Sequence, residues 1–267
     1  MNSAAKAPDP STGGQETASA LSNMFGRGSL YTVAFASQTL FNIIMTPITT
    51  RALGPRQYGV FAAILSVAQV IQVVASLGLH AGVQRHFADE PGDRESRGLV
   101  AVGVVVGLTV SALLFATQSL WSGALGYPTN DNALRLGIWW SGLGAIAVTT
   151  AALLRAQDRL RAFLIIVGIQ GIGGQAIGIM LVLCLRPTAT NYFTGLLIGQ
   201  TLGVLVGLIL VRPDVAGLRR WLVSKANLAF SLPLVPHMLA GLVLNAGDRI
   251  VVQRDLGEAA VGRYQLA

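Results

Sequence analysis

The stretch TTRALGPRQYGVF, residues 49–61, separates the first long apolar run of the chain from the second. Its skeleton returns near the C-terminus in VVQRDLGEAAVGRY, residues 251–264. The matching positions share one offset and pair Asn42, Arg51, Leu53, Gly54, Gly59 and Phe61 with Asn245, Arg254, Leu256, Gly257, Gly262 and Tyr264. A self-match in a single register indicates an internal structural repeat. We therefore expect a second copy of the first segment to begin before Ala267.

The composition is that of a membrane protein. Hydrophobic residues make up 52% of the 267 residues, charged residues make up 12%, and the mean hydropathy is +0.59. A soluble domain carries about 25% charged residues, so an ordinary soluble protein is excluded. The net charge is +7, but the basic residues lie between apolar runs and are not clustered with aromatic residues as on a nucleic-acid surface. We expect no nucleic-acid partner and interpret the basic residues as topology signals.

Stretches without a charged residue predict the membrane spans. A helix needs about 20 residues to cross hydrocarbon about 30 Å thick, and open strands are not tolerated there because their backbone groups would stay unpaired. The charge-free gaps cover residues 28–50, 57–84, 98–130, 136–154, 162–185, 187–211 and 226–247. They predict seven transmembrane helices near residues 28–50, 58–80, 99–121, 134–154, 162–185, 191–211 and 229–252.

The basic residues of the loops predict the orientation. Twelve of the 19 lie in the N-terminal tail and in the loops after predicted helices two, four and six, namely Lys6, Arg27, Arg85, Arg94, Arg97, Arg155, Arg159, Arg161, Arg212, Arg219, Arg220 and Lys225. Cytoplasmic loops carry the excess of Lys and Arg. We therefore expect a multi-pass protein with a cytoplasmic N-terminus.

The predicted spans divide the chain into four segments. Residues 1–27 are small and polar, and we expect a disordered cytoplasmic tail. Residues 28–211 form a first lobe of six helices. Residues 212–227 form an amphipathic helix on the cytoplasmic membrane surface or, in the simpler interpretation, a basic loop. Residues 228–267 hold helix seven and the start of a second lobe, and because helices one and seven run in the same direction the lobes would be parallel repeats.

Charged groups inside a span are candidates for function, because a charge at the bilayer centre costs roughly 2.5–3.5 kcal/mol on insertion scales. Asp248 and Arg249 lie late in helix seven, where they either serve a function or pair with each other at the outer interface. Arg51 and Arg254 are related by the repeat, and they either line a transport path or extend to the outer headgroups.

Polar and helix-breaking residues recur at matching places in helices one and seven. Asn42 and Asn245 either line a polar cavity or form hydrogen bonds across helices. Pro47 interrupts helix one, and Pro233 with Pro236 interrupts helix seven. Broken helices in repeat-related positions point to a transport path.

Glycines recur at every fourth position of predicted helix six, at Gly195, Gly199, Gly203 and Gly207. Smaller sets occur in helices three and five, at Gly103, Gly107, Gly174 and Gly178. Small residues at this spacing let another helix approach closely. The pattern predicts helix packing and carries no chemistry.

Signals for an enzyme are poor. The three histidines lack metal-ligand spacing and there is no phosphate-binding loop, so we expect no metal site, no cofactor and no catalytic residue. The acidic residues Asp89, Glu90, Asp93 and Glu95 could hold a metal–pyrophosphate in a membrane glycosyl- or prenyltransferase. Flanking arginines favour a solvated loop of mixed charge instead.

Three stretches together resemble a known family. TTRALGPRQYGVFAAILSVAQVIQVVASLGLHAGVQRHFAD (49–89) resembles the first loop and second helix of bacterial polysaccharide-export flippases, which belong to the MATE-like multidrug/oligosaccharidyl-lipid/polysaccharide superfamily. ALLRAQDRLRAF (152–163) and FSLPLVPHMLAGLVLNAGDRIVVQRDLGEAAVGRYQLA (230–267) are similar to that family's fourth-to-fifth and sixth-to-seventh helix regions. The resemblance covers roughly residues 25–267. It implies an all-α polytopic fold with a MATE-like six-helix lobe, followed here by the first helix of a second lobe.

The resemblance implies that an undecaprenyl-pyrophosphate-linked oligosaccharide moves from the inner to the outer leaflet of the bacterial inner membrane. Lipid-linked oligosaccharide and membrane lipids would be its partners, with a polysaccharide polymerase and glycosyltransferases as associated enzymes. Arginine pairs two phosphate oxygens at once, so the cavity candidates are Arg51, Arg249, Arg254 and, at the cytoplasmic mouth, Arg85. Asp248 is the candidate for a coupling ion.

Two other functions stay open. A cation-coupled multidrug or metabolite exporter would keep the fold, but it would favour acidic and aromatic cavity residues over arginines. A membrane glycosyl- or lipid-transfer enzyme would need carboxylates close together at the membrane face.

Overall fold

The structure is a computed structural model that describes residues 10–88, 92–127, 131–223, 229, 231–242 and 244. The described part is helical and contains no strand. Its main helices are α1 (Pro10–Ser76), α2 (Leu79–Phe87), α3 (Gly92–Ala116), α4 (Gln118–Trp121), α5 (Asn132–Ala156), α6 (Leu160–Gly168), α7 (Gly174–Cys184), α8 (Ala189–Val211) and α9 (Val215–Val223). The chain divides into two compact units, Met1–Ile43 and Ile44–Ala267, and α1 crosses the boundary between them.

Gly54 breaks α1 inside the stretch that repeats. Its backbone has φ 72° and ψ 163°, which is the only non-helical conformation in the helix. Glycine reaches positive φ without a steric penalty, and Pro55 then provides a favoured first residue for the next helical segment. The break separates predicted helices one and two, and we call the segments before and after it the first and second limbs of α1.

Five helices of the described part are long and apolar enough to cross a membrane: Tyr31–Ser76, Gly92–Ala116, Asn132–Ala156, Leu160–Cys184 and Ala189–Val211. The first of them holds two of the seven predicted spans, joined at Gly54. Of predicted helix seven, 229–252, the structure describes residues 229, 231–242 and 244, and residues 245–252 lie outside the described part. The all-α polytopic fold class is therefore confirmed. The described part has five candidates against seven predicted spans because α1 holds two of the predicted spans and predicted helix seven is described only in part.

Some helix ends differ from the prediction, among them the end of α3, which is at Ala116 rather than at residue 121. The second limb ends at Ser76 rather than at residue 80, because Leu77 (φ 46°) and Gly78 (φ 67°) turn the chain before α2 begins. Helix α3 begins at Gly92 rather than at residue 99. Its first turns carry charged residues, which a search for charge-free gaps excludes although they are helical.

The expected disordered tail and the expected proline break also differ from the structure. Helix α1 begins at Pro10, within residues predicted to be disordered. Proline is favourable at the first position of a helix. Pro47 lies in helical backbone, so the break of this region is at Gly54 and not at Pro47. In the other proline-containing segment, the chain turns at residues 232–233 before a helical segment at 234–242.

The second limb of α1 packs into a core formed with α5 and α8. Ile64 and Phe193 are fully buried there. The ring of Phe61 lies 4.9 Å from that of Tyr192 and 5.2 Å from that of Phe193, centroid to centroid. Gly137 of α5 allows this approach, because a Cβ built on it would lie 2.8 Å from Ile64. The core therefore joins the second, fourth and sixth predicted spans.

The predicted glycine packing is confirmed. In α8, Gly195 lies against the backbone of Gly178 and Gly199 against that of Gly174, both in α7. The next glycines of α8 lie against side chains of the α6–α7 segment and of α5. A five-residue π-helical turn, Ile169–Gly173, joins α6 to α7 at this contact. The glycines allow the two helices to pack backbone to backbone, as small residues do in membranes.

Helix α9 occupies the segment predicted to be amphipathic. Gly217 of α9 lies against the backbone of Gly98 near the start of α3. The Asp214 side chain accepts a hydrogen bond from the Ala216 amide at 3.0 Å and so caps α9. The helix is therefore confirmed, and its position on the membrane surface stays a prediction.

Candidate substrate pathway

The end of the first limb packs one face against α8. Thr49 and Leu53, one helical turn apart, are 3% and 5% exposed. The hydroxyl oxygens of Thr49 and Tyr192 lie 3.4 Å apart and form a buried hydrogen bond. This face of the limb thus belongs to the core of the first lobe.

Arg51 lies on the opposite face of the same turn. Successive helical residues are rotated by about 100°, so Arg51 points about 200° away from Thr49. Its side chain is exposed, and the described part of the chain offers it neither a hydrogen bond nor an ion pair. The structure therefore places a cationic side chain on the face of the first limb that its own lobe leaves uncovered.

The second limb begins by fixing the start of α8. The Gln57 side-chain oxygen accepts a hydrogen bond from the Ala189 amide at 2.9 Å, and so satisfies an amide in the first turn of α8 that has no partner within the helix. Tyr58 is buried and Phe61 packs on α8. One face of the repeated stretch therefore packs against α8, and the opposite face exposes Arg51.

The anchoring role of Thr49, Gln57 and Tyr192 was missed from the sequence. The spacing of Thr49 and Leu53, four residues apart, is a signal for a common face. A single Gln or Tyr gives no indication of a partner more than 100 residues away.

Of the other described candidates, Arg85 is not brought to Arg51, and Asn42 belongs to the other compact unit. Asn42 is exposed in the unit that ends at Ile43 and takes part in a polar contact. Arg85 is exposed in α2 and is also engaged in a contact. The second limb separates Arg51 from Arg85, and its residues 55–76 span about 33 Å at 1.5 Å per residue. The candidates Asn245, Asp248, Arg249 and Arg254 lie outside the described residues.

The acidic residues near the start of α3 take part in contacts within the lobe. Asp93 pairs with Arg97 at 2.8 Å and accepts a hydrogen bond from the Gln157 amide at 2.6 Å. Glu95 lies 3.5 Å from the His86 imidazole. These contacts indicate that Asp93 and Glu95 stabilise the helix ends, whereas Asp89 and Glu90 lie outside the described residues.

Two ionisable groups at this end of the lobe have shifted pKa values. The hydrogen bond from Arg94 at 3.1 Å, with further help from amides of α9, lowers the pKa of Asp214 despite partial desolvation. In α2, beyond the candidate span Tyr31–Ser76, burial and then the charge of Arg155 lower the pKa of His80. Asp214 is therefore ionised and His80 neutral at pH 7.

The fold defines an all-α protein that crosses the membrane several times. A protein-family model described as "Polysaccharide biosynthesis protein" matches residues 25–267, and the chain belongs to that family. No curated protein and no solved structure matches the chain. The family match confirms the resemblance to polysaccharide-export flippases of the MATE-like type.

Family membership gives the protein a role in polysaccharide biosynthesis and export. It implies a lipid-linked polysaccharide as substrate and membrane lipids as surroundings. Members of the family are generally transporters or flippases rather than enzymes.

Proposed function

We propose that this chain forms the first lobe, and the start of the second, of a flippase for a lipid-pyrophosphate-linked oligosaccharide. The lobes are parallel repeats in the bacterial inner membrane, with the N-terminus in the cytoplasm. Alternating access between them carries the headgroup from the inner to the outer leaflet. The family match and the repeat of the 49–61 stretch support this proposal.

The exposed position of Arg51 is the observation that carries the proposal. Transfer of an arginine side chain into lipid is costly. Thr49 and Leu53 on one face of the helix are buried, whereas Arg51 on the opposite face is exposed and needs a polar or anionic partner within the membrane. The uncovered face is suited to a second lobe with cargo between the two. A pyrophosphate offers the paired oxygens that a guanidinium binds best.

The remaining candidates extend the same path. Arg249 and Arg254 supply cations from helix seven, and Arg85 receives the headgroup at the cytoplasmic mouth. Asn42 and Asn245 contribute uncharged hydrogen-bonding groups. Asp248 binds the coupling cation, which returns along its gradient as the cargo leaves.

The protein acts as a transporter and not as an enzyme. A glycosyl- or lipid-transferase would require free carboxylates at the membrane face. Asp93 and Glu95 instead contact Arg97, Gln157 and His86. Their contacts support a structural role.

Export in cells tests the proposal. Arg51→Ala is expected to lower surface polysaccharide without lowering the amount of protein in the membrane, and Arg249→Ala is expected to do the same. Arg51→Lys should retain part of the export, because lysine keeps the positive charge but lacks the paired N–H groups with which a guanidinium binds two phosphate oxygens. Arg186→Ala is the matched control, because Arg186 is also an exposed arginine just beyond a membrane helix. Normal export by both Arg51→Ala and Arg249→Ala would refute the phosphate path.

A further inference from the structure

A cationic surface lies where the start of α6 meets the end of α8. The Arg159 guanidinium donates a hydrogen bond to the Leu210 carbonyl at 2.8 Å. This contact joins the chain just before α6 to the last turn of α8. It also places a positive charge at the negative end of the α8 dipole, where a cation is stabilising. The segments on either side of the contact are therefore held together.

The arginines around this contact exceed the local carboxylates. Residues 158–161 and 212–219 hold Arg159, Arg161, Arg212 and Arg219 against Asp158 and Asp214. Arg94 of α3 already pairs with Asp214, and Asp158 is engaged in a contact of its own. All four arginine side chains are exposed. The four arginines outnumber the two carboxylates of these segments, Asp158 and Asp214, and both carboxylates already take part in contacts. The surface therefore has a net positive charge.

Arg212 has an unusual backbone for a residue with a side chain. It ends α8 in the left-handed conformation with φ 52°, a position that glycine commonly fills. Arginine rarely adopts this conformation. An outlier of this kind is a reason to look for a function of the side chain.

Large apolar side chains are exposed next to the arginines. Ile165 is 53% exposed and lies one helical turn from Arg161, on the same face of α6. Ile209, 71% exposed, and Val215, 74% exposed, flank Arg212 in sequence. This arrangement of apolar side chains beside cations matches the boundary between lipid tails and headgroups.

We infer that this surface, formed by Arg161 and Arg212, binds the headgroups of anionic phospholipids in the surrounding leaflet. The guanidinium groups pair with the phosphate oxygens, while the isoleucines lie among the acyl chains. Juxtamembrane arginines bind an anionic surface about fivefold more tightly for each charge. The inference concerns the lipid around the protein and is independent of the cargo that it carries.

Lipid titration of the purified protein tests this inference. Phosphatidylglycerol is added in detergent, and bound lipid is counted by native mass spectrometry. Arg161→Gln/Arg212→Gln is expected to bind phosphatidylglycerol about 25-fold more weakly than the unaltered protein, whereas Arg161→Lys/Arg212→Lys should retain most of the binding. Phosphatidylcholine should bind all of these proteins equally. Elution as one monodisperse species shows that each variant is folded.

Arg186→Gln is the control, because this exposed arginine follows α7 at the other end of the α6–α7 span from Arg161. It should bind phosphatidylglycerol within about twofold of the unaltered protein, the scatter expected when no charge at the surface is changed. Equal binding by the double glutamine variant and the unaltered protein would overturn the inference. So would an equal loss in Arg186→Gln, or displacement of the lipid by an equimolar amount of inorganic pyrophosphate, which would indicate a soluble anion site.

Discussion

The contact between α7 and α8 gives the sharpest prediction of stability. Gly199 of α8 lies against the backbone of Gly174, and a Cβ built on Gly199 would also lie 3.1 Å from the Ile169 carbonyl oxygen. Backbone atoms cannot rotate away as a side chain can, so Gly199→Ala must push the two helices apart. Overpacking of this kind costs about 1–3 kcal/mol.

Gly168→Ala provides the matched control. Gly168, like Gly199, lies in a helix, in this case at the end of α6. A Cβ built on Gly168 meets nothing within 4 Å. Both substitutions gain the same helix propensity, about 0.5–1 kcal/mol. The difference between the two variants therefore isolates the packing contact, and Gly199→Ala should be less stable than Gly168→Ala by about 1–3 kcal/mol.

Reversible unfolding in mixed micelles measures this difference. The denaturing detergent is titrated against a fixed amount of mild detergent, and helix content is followed by circular dichroism. Free energies of unfolding within about 0.5 kcal/mol of each other, the usual scatter for surface substitutions, would refute the backbone-to-backbone packing of α7 and α8.

Three further predictions concern the end of the lobe that holds α2 and α9. Gly78→Ala should lower the thermal midpoint in detergent more than Gly126→Ala. Both glycines have positive φ, but only a Cβ at Gly78 meets a backbone atom, the Ser231 carbonyl oxygen at 2.6 Å. Equal losses would show that backbone strain alone, and not this contact, destabilises the two variants. Because the pKa of His80 is lowered from 6.5 in the folded protein, the unfolded chain binds more protons than the folded protein as the pH falls below that value. The free energy of unfolding should therefore fall from pH 7 to pH 5, and His80→Gln should reduce this fall when unfolding is measured at a series of pH values. Asp214→Ala removes the side-chain oxygen that accepts from the Ala216 amide, so it should speed hydrogen exchange in the first turn of α9; unchanged exchange would show that the cap does not hold the helix.

The sequence was sufficient to predict the apolar helices and their close packing. Helix α8 was expected at 191–211 and runs from Ala189 to Val211. The length of a charge-free stretch and the spacing of its glycines can be read from the sequence of one helix alone. In lipid the first property determines whether the helix can cross the membrane and the second how closely another helix can pack against it. The glycines of α8 were predicted to face another helix, and Gly195 and Gly199 contact α7.

Features that depend on distant partners could not be predicted. The start of α3 was placed seven residues too late, because its charged first turns pair with other elements: Asp93 with Gln157 and Arg94 with Asp214. The hydrogen bond from the Ala189 amide to Gln57 likewise joins residues far apart in sequence. Charge alone does not show whether a residue is solvated in a loop or paired on a helix.

The surroundings of Arg51 could be predicted only in part. Repetition and charge selected Arg51, and the structure shows its exposed side chain on the face opposite Thr49 and Leu53. No sequence pattern indicated which face would be buried, because Thr49 is polar and yet lies in the core. The residues of helix seven stay predictions.

Flipping of a lipid-pyrophosphate-linked oligosaccharide by the protein in proteoliposomes tests the central claim most directly. The transferred headgroup is detected by a glycosidase confined to one side of the vesicle. A charge-assisted hydrogen bond contributes about 1.5–3 kcal/mol, so Arg51→Gln should lower the initial rate about tenfold or more, with Arg186→Gln unchanged. Transfer at the same rate by the unaltered protein and Arg51→Gln would contradict a phosphate path past Arg51, and no transfer by the unaltered protein would contradict the proposed function.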